Sequence, residues 1–264
     1  MSDLWPSVRK PVLGMVHLLP LPGSPRYGGG LVRVRERALS DADALVTGGV
    51  HALLLENFGD APFYPRRVPA QVVSCMTMLT SQIRDRVGVP VGVNVLRNDG
   101  RSALAIALAS GASFIRVNVL CGARVTDQGV IEGIAHLVQR DRATLGASHI
   151  KVFADVAVKH SSPLGEGRPI DVEATDTIQR GLADAVIVTG SATGAATSLD
   201  CLRRVKAVAC QTPVLVGSGV NAETIGDYLA VADGVIVGTA IKRDGFATNP
   251  VDLQRVRALM ERAS

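Results

Sequence analysis

Short apolar runs rich in β-branched residues recur along the chain, and between them apolar positions return every three or four residues. The runs fall near residues 12–17, 51–57, 90–96, 113–119, 149–157, 185–189, 213–217 and 234–238. Runs without polar alternation suit strands buried on both faces. Helical spacing places helices near residues 32–47, 69–87, 100–110, 130–145, 171–182, 197–209, 221–230 and 250–262. Boundary residues agree with this division. Pro69 suits a first helical turn, Asp171 and Asn221 can cap, and Gly48, Gly88, Gly111 and Gly146 stand where helices should end. Strand-helix alternation through eight rounds predicts an α/β fold, a parallel sheet closed into a (β/α)8 TIM barrel that spans residues 1–264 as one domain. A doubly wound open sheet would carry its glycine fingerprint after the first strand, where this chain has Leu18-Leu-Pro-Leu-Pro-Gly23.

The last two runs each empty into a glycine turn, Val214-Leu-Val-Gly-Ser-Gly-Val-Asn221 and Val235-Ile-Val-Gly-Thr-Ala-Ile-Lys242. Glycines there let backbone N–H groups approach an anion, a small helix after each turn would add its positive end, and barrels of this kind place phosphate after strands 7 and 8. The turn Thr189-Gly-Ser-Ala-Thr-Gly194 after the sixth strand adds hydroxyls. The expected phosphate grip is therefore Thr189, Gly190, Ser191, Gly217, Ser218, Gly219, Gly238 and Thr239.

Polar residues gather at the carboxyl ends of the earlier strands: His17, Glu56 with Asn57, Asn94, Arg116 with Asn118, Asp155, then Lys159 and His160. Strand alternation puts Glu56 on the face of Ala52 and Leu54, Asn94 on that of Gly92, Arg116 on that of Asn118, and Asp155 on that of Phe153, so Glu56, Asn94, Asn118 and Asp155 are expected to converge on the mouth. His17, Glu56, Asp155 and His160 are candidate proton carriers, while Asn94, Arg116 and Asn118 would orient hydroxyls and hold negative charge. Lys159 can meet a phosphate or carboxylate. A structural Arg116–carboxylate pair is the competing reading, because a buried carboxylate needs a partner. No cofactor is named by these residues. A divalent metal held by His17, Glu56, Asp155 and His160 stays open, since no local pair has ligand spacing.

With 264 residues, 47% of them hydrophobic, the chain can bury the core of one barrel. A net charge of +4 spread over scattered arginines, with 3% aromatic residues, argues against nucleic acid and suits a small anionic ligand. Cys75, Cys121, Cys201 and Cys210 form no CxxC pair, so reduced thiols are expected. No stretch has the ~18 apolar residues of a membrane span, and Met1–Lys10 lacks the apolar core of a signal peptide. A cytoplasmic homo-oligomer, with peripheral membrane contact left open, is the expectation.

These motifs together resemble the BtpA family, named for a photosystem I biogenesis factor. The resemblance covers nearly the whole chain and rests on Gly14-Met-Val-His-Leu-Leu-Pro-Leu-Pro-Gly-Ser-Pro25, Leu55-Glu-Asn-Phe-Gly-Asp60, Val93-Asn-Val-Leu-Arg-Asn-Asp99, Phe114-Ile-Arg-Val-Asn118, Ala154-Asp-Val-Ala-Val-Lys-His160, Val188-Thr-Gly-Ser-Ala-Thr-Gly194 and Val216-Gly-Ser-Gly-Val-Asn221. It implies a barrel similar to the ribulose-phosphate-binding type. It also implies two roles: assembly of photosystem I at thylakoid membranes, or, as other members look, enzymes of phosphorylated sugar or nucleoside-related metabolism. An isomerase, epimerase or lyase working by proton transfer is the expectation from the residues, and a non-catalytic assembly factor is the alternative.

Overall fold

A computed structural model describes residues 4–263. In chain order its elements begin β1 (Val12–His17), α1 (Leu31–Thr47), β2 (Ala52–Glu56), α2 (Ala70–Arg86), β3 (Val91–Asn94), α3 (Gly100–Ser110) and β4 (Phe114–Val117). Two short strands follow, β5 (Ala123–Thr126) and β6 (Gly129–Glu132), then α4 (Ala135–Thr144), β7 (Lys151–Val156) and a further short strand, β8 (Ser161–Pro163). The chain continues with α5 (Ile170–Gln179), β9 (Ala185–Val188), α6 (Leu199–Val208), β10 (Val214–Val216), α7 (Ile225–Val231), β11 (Gly234–Val237) and α8 (Leu253–Ala263). Eight strands close a barrel in the order β1-β11-β10-β9-β7-β4-β3-β2, and every pair in it is parallel.

Two-sided burial explains why the strands read as unbroken apolar runs. Outward residues such as Val16, Leu53, Leu55, Val93 and Ile115 pack under the helices, while Leu13, Met15, Leu54, Phe114, Phe153, Ile187, Leu215 and Ile236 fill the barrel. The filling depends on one missing side chain. A Cβ on Gly92 would stand 2.2 Å from the Phe114 ring, so glycine there is what admits that ring. Phe114 stacks on Phe153 with centroids 4.8 Å apart, and Trp5 approaches Phe114 edge-on at 6.1 Å, anchored by Nε1 donating to the His51 carbonyl. Above this aromatic floor the inward positions turn polar: His17, Glu56, Asn94, Arg116, Asn118 and Asp155 are all buried.

Helix starts depart from expectation in several places, the last of them α8, which begins at Leu253 and not at residue 250. The segment read as the start of a helix at residue 130 is instead the second arm of a hairpin. β5 and β6 pair antiparallel with Thr126 opposite Gly129, and β8 joins the other edge of β5. Asp127-Gln128 makes the two-residue turn, with Gly129 at φ 92°. Ile131 pins the hairpin against Val119 and Val158, and helix begins only at Ala135. Asp171 lies inside the first turn of α5, behind Pro169 at the cap, and its carboxylate accepts from Arg204. Asn221 caps a turn ahead of α7, its Oδ1 accepting the N–H groups of Glu223 and Thr224 at 2.9 Å, which delays the helix to Ile225. Among the described residues, no helix is long and apolar enough to cross a membrane.

The segment between β11 and α8 is locked to α1 by an ion pair. Lys242 is 0% exposed, and its Nζ lies 3.3 Å from Asp41, which also accepts from Arg37 and from the Val251 N–H. Burial lowers the Lys242 proton affinity to about 8, against the pull of Asp41.

Gly92→Ala is expected to lower unfolding free energy by about 1–3 kcal/mol through overpacking against Phe114. Gly226→Ala, with nothing within 4 Å of the added methyl and a helical backbone, should raise it by about 0.4–1 kcal/mol. Urea denaturation of the two variants checks both signs.

Candidate functional site

At the centre of the polar ring Arg116 and Asp155 form a buried ion pair. Arg116 Nε lies 3.2 Å from both Asp155 oxygens and Nη2 lies 2.9 Å from Oδ1. Asn118 Nδ2 donates to Asp155 Oδ2 at 2.6 Å, and Asn94 Nδ2 donates to Asn118 Oδ1 and to the Arg116 carbonyl. Burial by itself would weaken the hold of Arg116 on its proton, but the charges of Asp155 and Glu56 outweigh it, and the guanidinium is held above its ordinary value. The Asn94 Oδ1 is buried with no hydrogen-bond partner.

His17 stands beside this pair. Its Nδ1 lies 3.0 Å from the Ala247 carbonyl, which only accepts, so Nδ1 carries the proton and Nε2 is left with its lone pair. Glu56 Oε1 lies 3.9 Å from Nε2, and the imidazole stacks on Phe58 with centroids 4.4 Å apart. Burial, then Lys242, then Lys159 and Arg116, push the His17 pKa well below its ordinary value, against the Ala247 hydrogen bond. The ring is neutral at pH 7. Ala247 belongs to the segment that Lys242 and Asp41 lock down, so the tautomer is fixed from outside the barrel.

Lys159 and His160 follow β7 through two left-handed residues, Ala157 at φ 52° and His160 at φ 55°. The Lys159 N–H donates to Thr189 Oγ1, and its carbonyl accepts from Arg97 Nη2 at 2.5 Å. Burial, then Arg116, lowers the Lys159 proton affinity, with Glu56 and Asp155 opposing and Arg97 adding to the loss. His160 is exposed, and its Nε2 accepts the Thr193 N–H at 3.1 Å, tying the loop after β7 to the loop after β9. Asn57 and Asn98 are ties as well, each bonded to the backbone of a neighbouring loop.

The glycine turns line a cavity of about 170 Å³ bounded by Gly217, Ser218, Gly219, Gly238 and Thr239, with Arg116, Lys159 and His17 at its inner side. The turn after β9 enters it through Thr193 and Gly194, whereas Thr189, Gly190 and Ser191 stand outside the lining. Their hydrogen bonds explain the difference. Thr189 Oγ1 holds Lys159, Gly190 N–H donates to Ser218 Oγ, and the Ser191 carbonyl accepts from His160. Ser218 Oγ in turn donates to the Ala195 carbonyl, so that hydroxyl stitches two loops together. Gly219, at φ 73°, packs so closely that a Cβ would fall 2.4 Å from Ala196 Cα. The N–H groups of Gly194 and Gly219 donate to no other described residue. No helix starts directly after Gly219, whereas a single 3-10 turn, Thr239–Ile241, follows Gly238, and the side-chain cations on this cavity's lining are Arg116 and Lys159.

A second cavity of about 590 Å³ adjoins the first, and His17, Lys159 and Thr193 line both. Its other walls include Leu18, Pro20, Phe58, Phe63 and Leu96, with Glu56, Asn118, Arg97 and Asp127 among the polar ones. Phe58, Phe63, Arg97 and Asp127 were not singled out by strand-end reasoning because they lie beyond the strand ends, Phe58 in a 3-10 turn, although Phe58 and Arg97 fall inside quoted motifs. His17, Glu56, Asp155 and His160 do not gather into one group, since Asp155 faces Arg116 and His160 faces Thr193. Among the described residues no three His, Cys, Asp or Glu side chains are placed to hold a metal ion.

Comparison with solved structures supports the architecture. N-(5′-phosphoribosyl)anthranilate isomerase from Pyrococcus furiosus superposes with a TM-score of 0.57 at 16% identity, covering 96% of this chain and 98% of that one. KGPDC from Streptococcus mutans does so with a TM-score of 0.59 at 12% identity, covering 97% and 98%. At these identities the likeness is one of fold, the TIM barrel. Sequence relatives are far nearer. Photosystem I biogenesis protein BtpA of Synechocystis sp. is 50% identical over 95% of this chain and 87% of its own. An uncharacterized protein of Thermococcus kodakarensis is 50% identical over 97% and 95%, and one of Caenorhabditis elegans is 33% identical over 98% and 95%. The family model matches residues 8–264, and with these relatives it establishes that the chain belongs to the BtpA family.

Proposed function

We propose that the barrel mouth grips the phosphate of a small phosphorylated sugar or nucleoside-related metabolite and moves a proton on its carbon skeleton, as an isomerase, epimerase or lyase does. One observation carries this reading: the glycine-turn cavity and the larger cavity meet at His17 and Lys159, a neutral base beside a cation. Phosphate oxygens would take the N–H groups of Gly194 and Gly219 and the hydroxyl of Thr239, with Lys159 and Arg116 supplying charge. The adjoining carbon would then face His17 Nε2. A proton taken there makes an imidazolium next to the Glu56 carboxylate, and the negative charge left on a substrate oxygen is met by Lys159. Lys159 gives up a proton more readily than an exposed lysine, which suits it to protonate that oxygen. Asp155, fully engaged by Arg116 and Asn118, acts in this scheme by holding the guanidinium in place.

The name of the Synechocystis relative supports a second reading, an assembly factor for photosystem I. Val125 and Val130, paired across β5 and β6, are exposed side by side and could meet a partner. A relative in a nematode, which has no photosystem, weighs toward a metabolic role for the family.

Two outcomes are expected. First, hydrogen exchange from D2O into a panel of pentose and hexose phosphates, followed by NMR, should slow by about 10²–10⁴-fold in His17→Gln. Affinity for inorganic phosphate should stay within a few fold, and exchange at the wild-type rate removes His17 from the mechanism. Second, the His17 imidazole should titrate below 6.5 in the wild-type protein by NMR. Lys159 disfavours the imidazolium, so Lys159→Gln should raise that midpoint and move the acid limb of any activity profile to higher pH. An unchanged midpoint would show that Lys159 does not act on His17.

A further inference from the structure

We propose that the larger cavity receives a flat aromatic or heteroaromatic ring carried on the same carbon skeleton as the phosphate. This rests on the phosphate reading above and adds to it the group at the far end of the ligand. The two cavities differ in size and in chemistry. The glycine-turn cavity, about 170 Å³, is smaller than the roughly 300 Å³ at which whole-ligand sites begin, so it suits a phosphate and little else. The adjoining cavity, about 590 Å³, lies well inside the range of whole-ligand sites.

Its apolar walls favour a ring over a bare sugar as the occupant. Leu18, Pro20, Phe58, Phe63 and Leu96 offer hydrocarbon, against which sugar hydroxyls would give up water without gaining a partner. A planar ring loses nothing there and gains contact with Phe63 and Phe58, both half-buried. Two of its polar residues suit such a ring. Arg97 is 4% exposed and lines the cavity, and its Nε is buried without a hydrogen-bond partner. A buried donor left unpaired is costly, and an acceptor on a ring, such as a ring nitrogen or an exocyclic oxygen, would satisfy it. Asp127, on the β5–β6 turn, places a carboxylate on the same lining for a ring donor. Since His17, Lys159 and Thr193 belong to both cavities, the skeleton joining ring to phosphate would pass directly over them.

Calorimetric titration separates the two levels of the idea. Ribose 5-phosphate is compared with adenosine, uridine and nicotinamide mononucleotides, which share its phosphoribosyl part and differ by a ring, and inorganic phosphate reports on the grip alone. At least one ring-bearing ligand should bind tenfold or more tightly than ribose 5-phosphate. Phe63→Ala should erase most of that advantage while leaving the ribose 5-phosphate Kd within about twofold. Binding of inorganic phosphate and ribose 5-phosphate with no preference for any of the three rings overturns the ring proposal alone, as does a Phe63→Ala variant that keeps the full preference. If neither inorganic phosphate nor any ester binds, the phosphate grip fails and the ring proposal fails with it.

Discussion

The charge of Arg116, sealed inside the barrel above the Phe114–Phe153 stack, is the constraint around which the mouth is organised. A guanidinium with 1% of its surface in water is tolerable only beside a carboxylate that meets it at close range. Asp155 supplies that carboxylate from the neighbouring strand, and Asn118 and Asn94 satisfy what the pair leaves over. Removing one member of such a pair typically costs about 3–5 kcal/mol. The pair divides the barrel in two. Below it the interior is hydrocarbon, and at its level and above β1, β2, β3, β4 and β7 carry His17, Glu56, Asn94, Arg116 and Asp155.

Around that fixed centre the loops hold one another. His160 reaches Thr193, Thr189 holds Lys159, Arg97 holds the Lys159 carbonyl, and Ser218 links the turns after β9 and β10. The Lys242–Asp41 pair performs the same service from the rim, because it fixes the segment whose Ala247 carbonyl chooses the His17 tautomer. A site assembled this way is preorganised, so that binding energy is not spent on ordering loops. Several side chains that look chemical in isolation, His160 and Ser218 among them, are occupied in this bracing.

How much of this could be read from residues alone follows from the range of each interaction. The eight barrel strands were legible because burial on both faces leaves a local mark, and the inward set of Leu54, Glu56, Asn94, Arg116 and Asp155 followed from period-two alternation. The hairpin at residues 123–132 was not, because Ile131 alone anchors its second arm and the apolar spacing beyond it continues smoothly into α4. The third glycine turn was found, but not that its tip would line the cavity while Thr189, Gly190 and Ser191 brace its neighbours. That choice depends on where the loops after β7 and β10 lie.

Fold, strand order and the collection of polar residues at one end of the barrel are therefore properties of the sequence by itself, since alternation and burial act within a few residues of the chain. The pairing of Arg116 with Asp155, the proton on His17 Nδ1 and the meeting of two unlike cavities at Lys159 were decided by tertiary structure. Each joins groups from different strands and loops, up to 230 residues apart in the case of His17 and Ala247. No local pattern records which of several neighbours a buried charge will face once the sheet has closed.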